Sequence, residues 1–347
     1  MMEGIGDRAL RTDLPVVLLH NIGPDWTENE IKEAEDDVST LASSLEEIGH
    51  RVTVVPVSDK NLSAQLAPFN PKDVIVFNWC EELPGVPNSE AKVAGILEVM
   101  GFAFTGSPAD TLALSQDKPA VKDILEPAGV PVPQWAVRDS PEAGDWRLFP
   151  AIVKSANGHC SIGISGESVV TTREELERRI GYMLDKFGQP AMVEEYIDGR
   201  ELLVSVWGNG NLTMLPPVEL DYGCLTDIRQ KLFSYEAKYD HDSPIYKEIK
   251  LSVPAEINEL EKAELERIVL SAYRSSGCRD YARIDVRLKD GTFYVLDVNP
   301  NPDINPETSL SYSAAEAGFD YGQMGSLFVN FAAARHRCFG RGLSGNP

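Results

Sequence analysis

The sequence predicts an α/β chain: a parallel-sheet N-terminal domain, then a middle and a last section that each mix strands with helices. Three observations predict it. Apolar runs of strand length alternate with helical periodicity over the first hundred residues. A loop rich in Gly and Ser follows directly on a strand near residue 154. Close to the C-terminus, two strands with alternating acidic residues flank a tight turn. The chain has 347 residues, more than one core usually takes, so two or three domains are expected. We expect domains at 14–108, 109–192 and 193–337, with loose termini at 1–13 and 338–347.

Each element has its own signal. Pro15–Leu19 reads as a buried strand. Thr27 and Glu30 form a capping-box pattern. Behind them Ile31, Ala34, Val38, Leu41, Leu45 and Ile48 recur at helical spacing, and Gly49 ends the run. Arg51–Val57 and Asp73–Phe77 are further strands, Ser89–Met100 a helix, and Gly101–Thr105 a short strand. This βαβ order predicts a parallel sheet with helices on its faces. Then come a helix at Gln116–Ala128, a strand at Pro150–Lys154, the loop Ser155–Gly166, a helix at Arg173–Phe187 and a strand at Ala191–Tyr196. Strands are expected at Glu201–Trp207 and Leu212–Val218, followed by an irregular stretch over 220–250. A helix at Glu256–Ser276 precedes the hairpin Arg279–Leu288 and Thr292–Asn299, closed by Lys289-Asp-Gly291. Residues 312–335 read as one helix.

Composition excludes several function classes. Lys plus Arg total 32 against 54 Asp plus Glu, a net charge of −22. Such a chain is a poor general partner for nucleic acid or anionic membrane. Any phosphate site must gather its few cations locally or recruit a metal. The five cysteines (80, 160, 224, 278 and 338) are widely spaced and include no CxxC, which fits a reducing compartment. No apolar run spans a bilayer and no signal pattern opens the chain, so a cytoplasmic protein is expected.

The chemistry-bearing residues fall in three places. Side chains alternate faces along a strand. Arg283 and Asp285 therefore share one face, and Asp297 and Asn299 share one on the partner strand. Two carboxylates and an amide oxygen are hard ligands suited to Mg²⁺. Lys154 ends a strand just before the Gly/Ser loop, where it can put a point charge on a phosphate. Glu194-Glu195-Tyr196-Ile197, followed by Gly199-Arg-Glu201, can line a base pocket. No Walker P-loop, GxSxG elbow or GxGxxG fingerprint occurs.

Together these segments resemble the ATP-grasp superfamily and, within it, the D-alanine–D-alanine ligase-like group. The resemblance covers about residues 15–335. It is densest in GVPVP (129–133), FPAIVK (149–154), SIGIS (161–165), VEEYIDGRELLVSV (193–206), YEAKY (235–239) and RIDVRLKDGTFYVLDVNPNP (283–302). It implies an ATP-grasp fold whose two lobes enclose ATP, and an ATP-dependent carboxylate–amine ligase working through an acyl phosphate. It implies ATP and Mg²⁺ (two ions, with Mn²⁺ an alternative), small-molecule amino-acid or peptide substrates, and a homodimer. Residue by residue, Lys118 and Lys154 match lysines on the nucleotide phosphates. Glu194, Glu195 and Ile197 match the adenine hinge, and Glu201 the acid near the ribose. Lys238 and Tyr239 match a closing loop over the phosphates, within lids expected at 155–166 and 220–250. Asp285, Asp297 and Asn299 match the metal ligands, and Arg283 the oxyanion arginine. Ser309 and Leu310 resemble a pair that holds the second substrate's carboxylate.

The sequence departs from that pattern around the substrates. Asp297 stands where the family mostly has Glu, and Cys160 where it has a Ser that helps order the first substrate. Asp303 replaces a Gly, adding bulk and charge. Phe77–Glu81 replaces a His-Gly loop, and Asp37 is the residue placed to grip the first substrate's ammonium. The reaction type is therefore expected and the substrate pair left open. The alternatives are a non-catalytic ATP-binding regulator of the same fold, a biotin-dependent carboxylase and a Rossmann dehydrogenase. The first should lose a metal ligand or Arg283, the second needs a biotin carrier, and the third needs the missing glycines.

Overall fold

The computed structural model describes residues 10–158, 163–223, 225–233 and 248–340. The first unit runs β1 (Pro15–Asn21), α1 (Glu28–Ile48), β2 (Arg51–Val57), α2 (Leu62–Leu66), β3 (Ile75–Trp79), α3 (Glu90–Met100) and β4 (Ala103–Phe104). Its strands form a parallel sheet in the order β2-β1-β3-β4. Val16 to Leu19 are all buried, because a parallel sheet is covered on both faces and its central strand reads as an unbroken apolar run. Thr27 caps α1 through the expected reciprocal box with Glu30. Val38, Leu41 and Leu45 then face the core.

The second unit contains α4 (Ala109–Ser115), α5 (Lys118–Leu125), β5 (Trp135–Arg138), β6 (Ala151–Ser155), β7 (Val169–Val170), α6 (Arg173–Phe187) and β8 (Ala191–Glu195). The strands pair antiparallel in the order β5-β8-β6-β7. The helix expected over 116–128 is α5, shorter at both ends, and α4 before it was not expected. Asp117 is extended and caps α5, accepting from the Ala120 amide at 3.0 Å, and Pro119 follows in the first turn.

The third unit holds β9 (Arg200–Asn209), β10 (Asn211–Met214), β11 (Val218–Asp221), β12 (Lys250–Ser252), α7 (Glu259–Ser275), β13 (Asp280–Lys289) and β14 (Thr292–Asn299). Its sheet runs β12-β11-β9-β13-β14, with β10 paired to β9. The expected strand at 212–218 is broken, because Pro216 and Pro217 have no amide to donate to a ladder. The β13–β14 turn forms as expected: Asp290 and Gly291 both have positive φ, at 49° and 77°, the primed geometry that suits strand twist.

The chain ends with α8 (Ser309–Glu316) and α9 (Tyr321–Arg335). The expected single helix over 312–335 starts earlier and is interrupted by Gly318, at φ 92°, with Asp320 capping the second piece. Helix α9 returns to the first unit and packs with α1 in one core, around Leu41, Leu45, Phe77 and Phe328. Arg335 fixes this return. It donates to Asp280 Oδ2 and to the Phe104 carbonyl, both at 2.7 Å, while Asp280 also accepts from the Gly106 amide. The N-terminal sheet is thereby locked to the third unit. No helix among the described residues is long and apolar enough to cross a membrane.

Candidate functional site

The antiparallel sheets of the second and third units face each other across a cleft of about 700 Å³. Ile152, Lys154 and residues 194–197 line one wall, and β9, β13 and β14 the other. The two walls meet at the short link between β8 and β9. Gly199 is required there, since a Cβ would lie 2.2 Å from the Leu288 carbonyl.

The hairpin delivers its polar face as alternation dictates. Ile284 and Val286 are buried in the core, so Arg283, Asp285, Asp297 and Asn299 point into the cleft. Arg283 pairs with Asn299 and Asp285 with Asp297 across the ladder, with an irregularity immediately after Asp285. Arg283 donates to both Asp285 oxygens, at 2.6 and 3.1 Å. Asp297 Oδ1 accepts from the Val298 amide, and Asn299 Oδ1 from the Asn301 amide. Donor chemistry and register both fit a hard divalent cation: two carboxylates and an amide oxygen, half-buried, on adjacent strands.

Opposite them lies a buried charge triad. Lys154, Glu194 and Lys122 are 7%, 2% and 2% exposed. Glu194 contacts Lys154 through Oε2 and Lys122 through Oε1, the latter at 3.0 Å. That second contact is an ion pair without hydrogen-bond alignment. The Lys122 ammonium instead donates to the carbonyls of Val295 and Leu296, each at 2.9 Å. Burial pushes the Glu194 carboxyl up, but the two ammoniums outweigh it and hold the group below its ordinary value. Burial pulls Lys122 down, whereas for Lys154 burial is outweighed by Glu194 and Asp297, which raise it.

The resemblance placed Glu201 near a ribose. Glu201 does line the cleft, but its Oε2 accepts from Arg287 Nε at 3.0 Å, Arg287 Nη2 at 2.6 Å and Tyr222 Oη at 2.7 Å. Arg287 also donates to the Ile197 carbonyl and stacks over Tyr196, 4.6 Å from the ring centre. The carboxylate thus holds Arg287, and Arg287 in turn reaches the opposite wall. Glu195 and Ile197 line the cleft as expected, and the Glu195 amide donates to the Gln134 carbonyl.

The remaining residues divide. Lys118 opens α5 and donates to the Gly158 carbonyl. With amide contacts from Lys118 to Ala156 and from Gly158 to Gln116, it is stitched to the loop after β6. Ser309 and Asp303 line the cleft. Leu310 is fully buried in the core with Trp207 and Phe328, so its side chain does not face a ligand. Asp37 stands beside Asp303 and Asn305. Burial raises both carboxyls, and for Asp37 the Asp303 charge adds to the rise. Cys160, Lys238 and Tyr239 lie outside the described residues, as do parts of both expected lids.

Sequence reasoning missed Lys122 and Arg287. Arg287 sits two residues beyond Asp285, so the same alternation would have found it. Lys122 stands one helical turn after Lys118, and its partner Glu194 is distant in sequence.

Comparison with known proteins accounts for this arrangement. Residues 125–329 match the model of the D-ala D-ala ligase C-terminus. An uncharacterized protein of Sinorhizobium fredii, y4sG, is 32% identical, over 88% of this chain and 89% of its own. The D-alanine–D-alanine ligase of Aquifex aeolicus is 30% identical, over 83% of this chain and 92% of its own. The crystal structure of the D-alanine–D-alanine ligase of Bacillus anthracis, complexed with ATP, shares the fold. Its TM-score is 0.71 at 19% identity, covering 93% of this chain and 99% of that one. With the cleft, the hairpin and these relatives in agreement, the chain belongs to the D-alanine–D-alanine ligase family, ATP-dependent ligases of the ATP-grasp fold.

Proposed function

We propose that this ligase joins the carboxylate of one amino acid or peptide to the amine of another, forming ADP and phosphate through an acyl phosphate. The observation that carries the reading is the facing of Lys154, held by Glu194, and the Arg283–Asp285–Asp297–Asn299 face across one cleft. Asp285, Asp297 and Asn299 are the residues to hold Mg²⁺, two ions by family resemblance, with Mn²⁺ an alternative. Magnesium, when bound, neutralises charge on the phosphate oxygens.

The protein's own groups do the rest. The first carboxylate attacks the γ-phosphorus, the bond to the bridging oxygen breaks, and ADP leaves. Lys154 lies buried at the wall, where a fixed ammonium stabilises transferring charge far better than one in water. The amine then attacks the acyl carbon, the carbon–oxygen bond to phosphate breaks, and the proton lost from nitrogen leaves with phosphate. Arg283 is the donor for the oxyanion that develops. Glu195 and Ile197 receive the base, and Ser309 faces the second substrate. A homodimer is the assembly the family resemblance suggests.

The test is ADP release from ATP and Mg²⁺ with D- and L-amino acids, singly and in pairs. Amino-acid-dependent ADP formation with an amide product by mass spectrometry is expected. ATP binding without any turnover would replace this reading with a non-catalytic regulator.

A further inference from the structure

Strand β14 does not alternate regularly through the proposed metal site. Val295 is buried in the core, while Leu296 and Asp297 both line the cleft. Side chains two apart share a face along a regular strand, so Asp297 would follow Val295 into the core. The ladder shows how it escapes. Asp285 pairs with Asp297 but Val286 pairs with Val295, which leaves Leu296 as an extra residue. This is a β-bulge, a device that re-aims a side chain and disrupts the local pairing.

One side chain from another unit holds the bulge. The Lys122 ammonium donates to the carbonyls of Val295 and Leu296, each at 2.9 Å. Successive carbonyls of a regular strand point to opposite edges; here both turn to the same ammonium. The Val295 amide is engaged too, donating to the Pro131 carbonyl at 2.8 Å. The backbone just before Asp297 is thus fixed at three points by residues outside its own sheet.

Lys122 is buried and is not among the residues that line the cleft. It therefore acts on the chemistry only through what it holds. Neutralising Glu194 does not account for it alone. Lys154 already contacts that carboxylate, and two of the three donors an ammonium carries go to the bulge carbonyls.

We propose that Lys122 is a positioning residue of the metal site: by fixing the bulged backbone at Val295 and Leu296, it sets where the Asp297 carboxylate faces. The same ammonium ties three elements together, since it stands on α5, holds β14 and pairs with Glu194 of β8 at 3.0 Å. One buried charge thus joins the wall that carries Lys154 to the wall that carries Asp297. The proposal rests on the ligase reading above and deepens its metal assignment.

The experiment measures Mn²⁺ binding to the full chain with ADP, from the electron paramagnetic resonance of free Mn²⁺, so that turnover is not needed. It compares the parent, Lys122→Met, Asp297→Asn and the double variant, each checked for a parent-like circular dichroism spectrum. Lys122→Met keeps the length of the side chain without its donors. It should weaken Mn²⁺ binding about ten-fold, the low end of the range for groups that orient metal ligands. Asp297→Asn keeps an oxygen at the site, so residual binding stays measurable. In that background Lys122→Met should change binding less than two-fold, because groups that act through one another are not additive. Affinity within two-fold of the parent in Lys122→Met overturns the proposal. The same loss in both backgrounds also overturns it, since a merely structural role is additive. If Lys122→Met does not fold, Lys122→Gln, which keeps N–H donors without the charge, replaces it in the cycle. A three-fold or greater loss is then expected, with the same two overturning results. A parent that holds no Mn²⁺ with ADP removes the metal site on which both readings stand. A parent that holds it while the cycle is additive removes this one alone.

Discussion

The two ends of the cleft treat carboxylates in opposite ways. At the end proposed for the nucleotide, Glu194 is enclosed by Lys122 and Lys154, and Glu201 by Arg287 and Tyr222. At the other end Glu81 and Glu307 are exposed, and Glu82, Glu90 and Asp303 half-buried. The first arrangement is self-neutralised and buried. The second is more exposed and lines the open side of the cleft. A buried ion must be paired, since removing its partner strands a charge in a medium that cannot solvate it. An exposed carboxylate carries no such constraint and is free to vary with the ligand. The difference predicts that the paired end bears on stability as well as chemistry, and the open end on substrate choice alone.

The sharpest way to break that comparison is Glu194→Ala. It leaves two buried ammoniums uncompensated, so a loss of about 3–5 kcal/mol is expected, read from the urea midpoint. The pH dependence has a definite sign. Glu194 lies below its ordinary value of 4.5 when folded, so its contribution is complete above that value. It drains as pH falls through the lower folded value. A variant as stable as the parent at pH 7 would show that Lys122 and Lys154 find other partners, and the two ends would no longer differ.

Asp297→Ala tests a half-buried carboxylate that is proposed to hold a metal and whose charge also acts on Lys154. Stability should change by no more than about 1 kcal/mol, within the range of ordinary substitutions. ADP formation should fall about 10²–10³-fold, the range for removing one group that stabilises transition-state charge. Turnover within two-fold of the parent would remove Asp297 from the site.

How much of this was legible in the sequence follows the same division. The hairpin was readable to the register, because strand alternation and an Asp-Gly turn leave little freedom: Asp285 does oppose Asp297. Strand β1, helix α1 with its capping box, and helix α6 came through for similar local reasons. The open end was partly readable too, since Asp303 stood out as an added charge. The paired end was not. Lys122 on a short helix looks like any solvated lysine until β8 brings Glu194 under it. Glu201 was read by resemblance as the acid near a ribose, and no local signal ties it to Arg287, 86 positions away. The core packing of the Leu310 side chain with Phe328 of α9 was equally hidden, since the two are brought together only by the fold. Partners distant along the chain are set by the fold, and single-residue patterns do not carry them.

The smallest effect provides the baseline for the whole comparison. Glu264 and Arg267 form a two-bond ion pair on α7, at 2.7 and 2.8 Å, with geometry as good as that of Glu201 and Arg287. Their side chains are 45% and 52% exposed. Water already solvates both charges, so the pair gains little and strands little when broken. Glu264→Ala should therefore cost no more than about 0.5 kcal/mol after screening, measured by the same urea midpoint. If it matched the loss at Glu194, pairing itself would be the stabilising factor wherever it occurs. If it stays within that bound, burial decides the cost, and the exposed carboxylates of the substrate end can be changed without unfolding the protein.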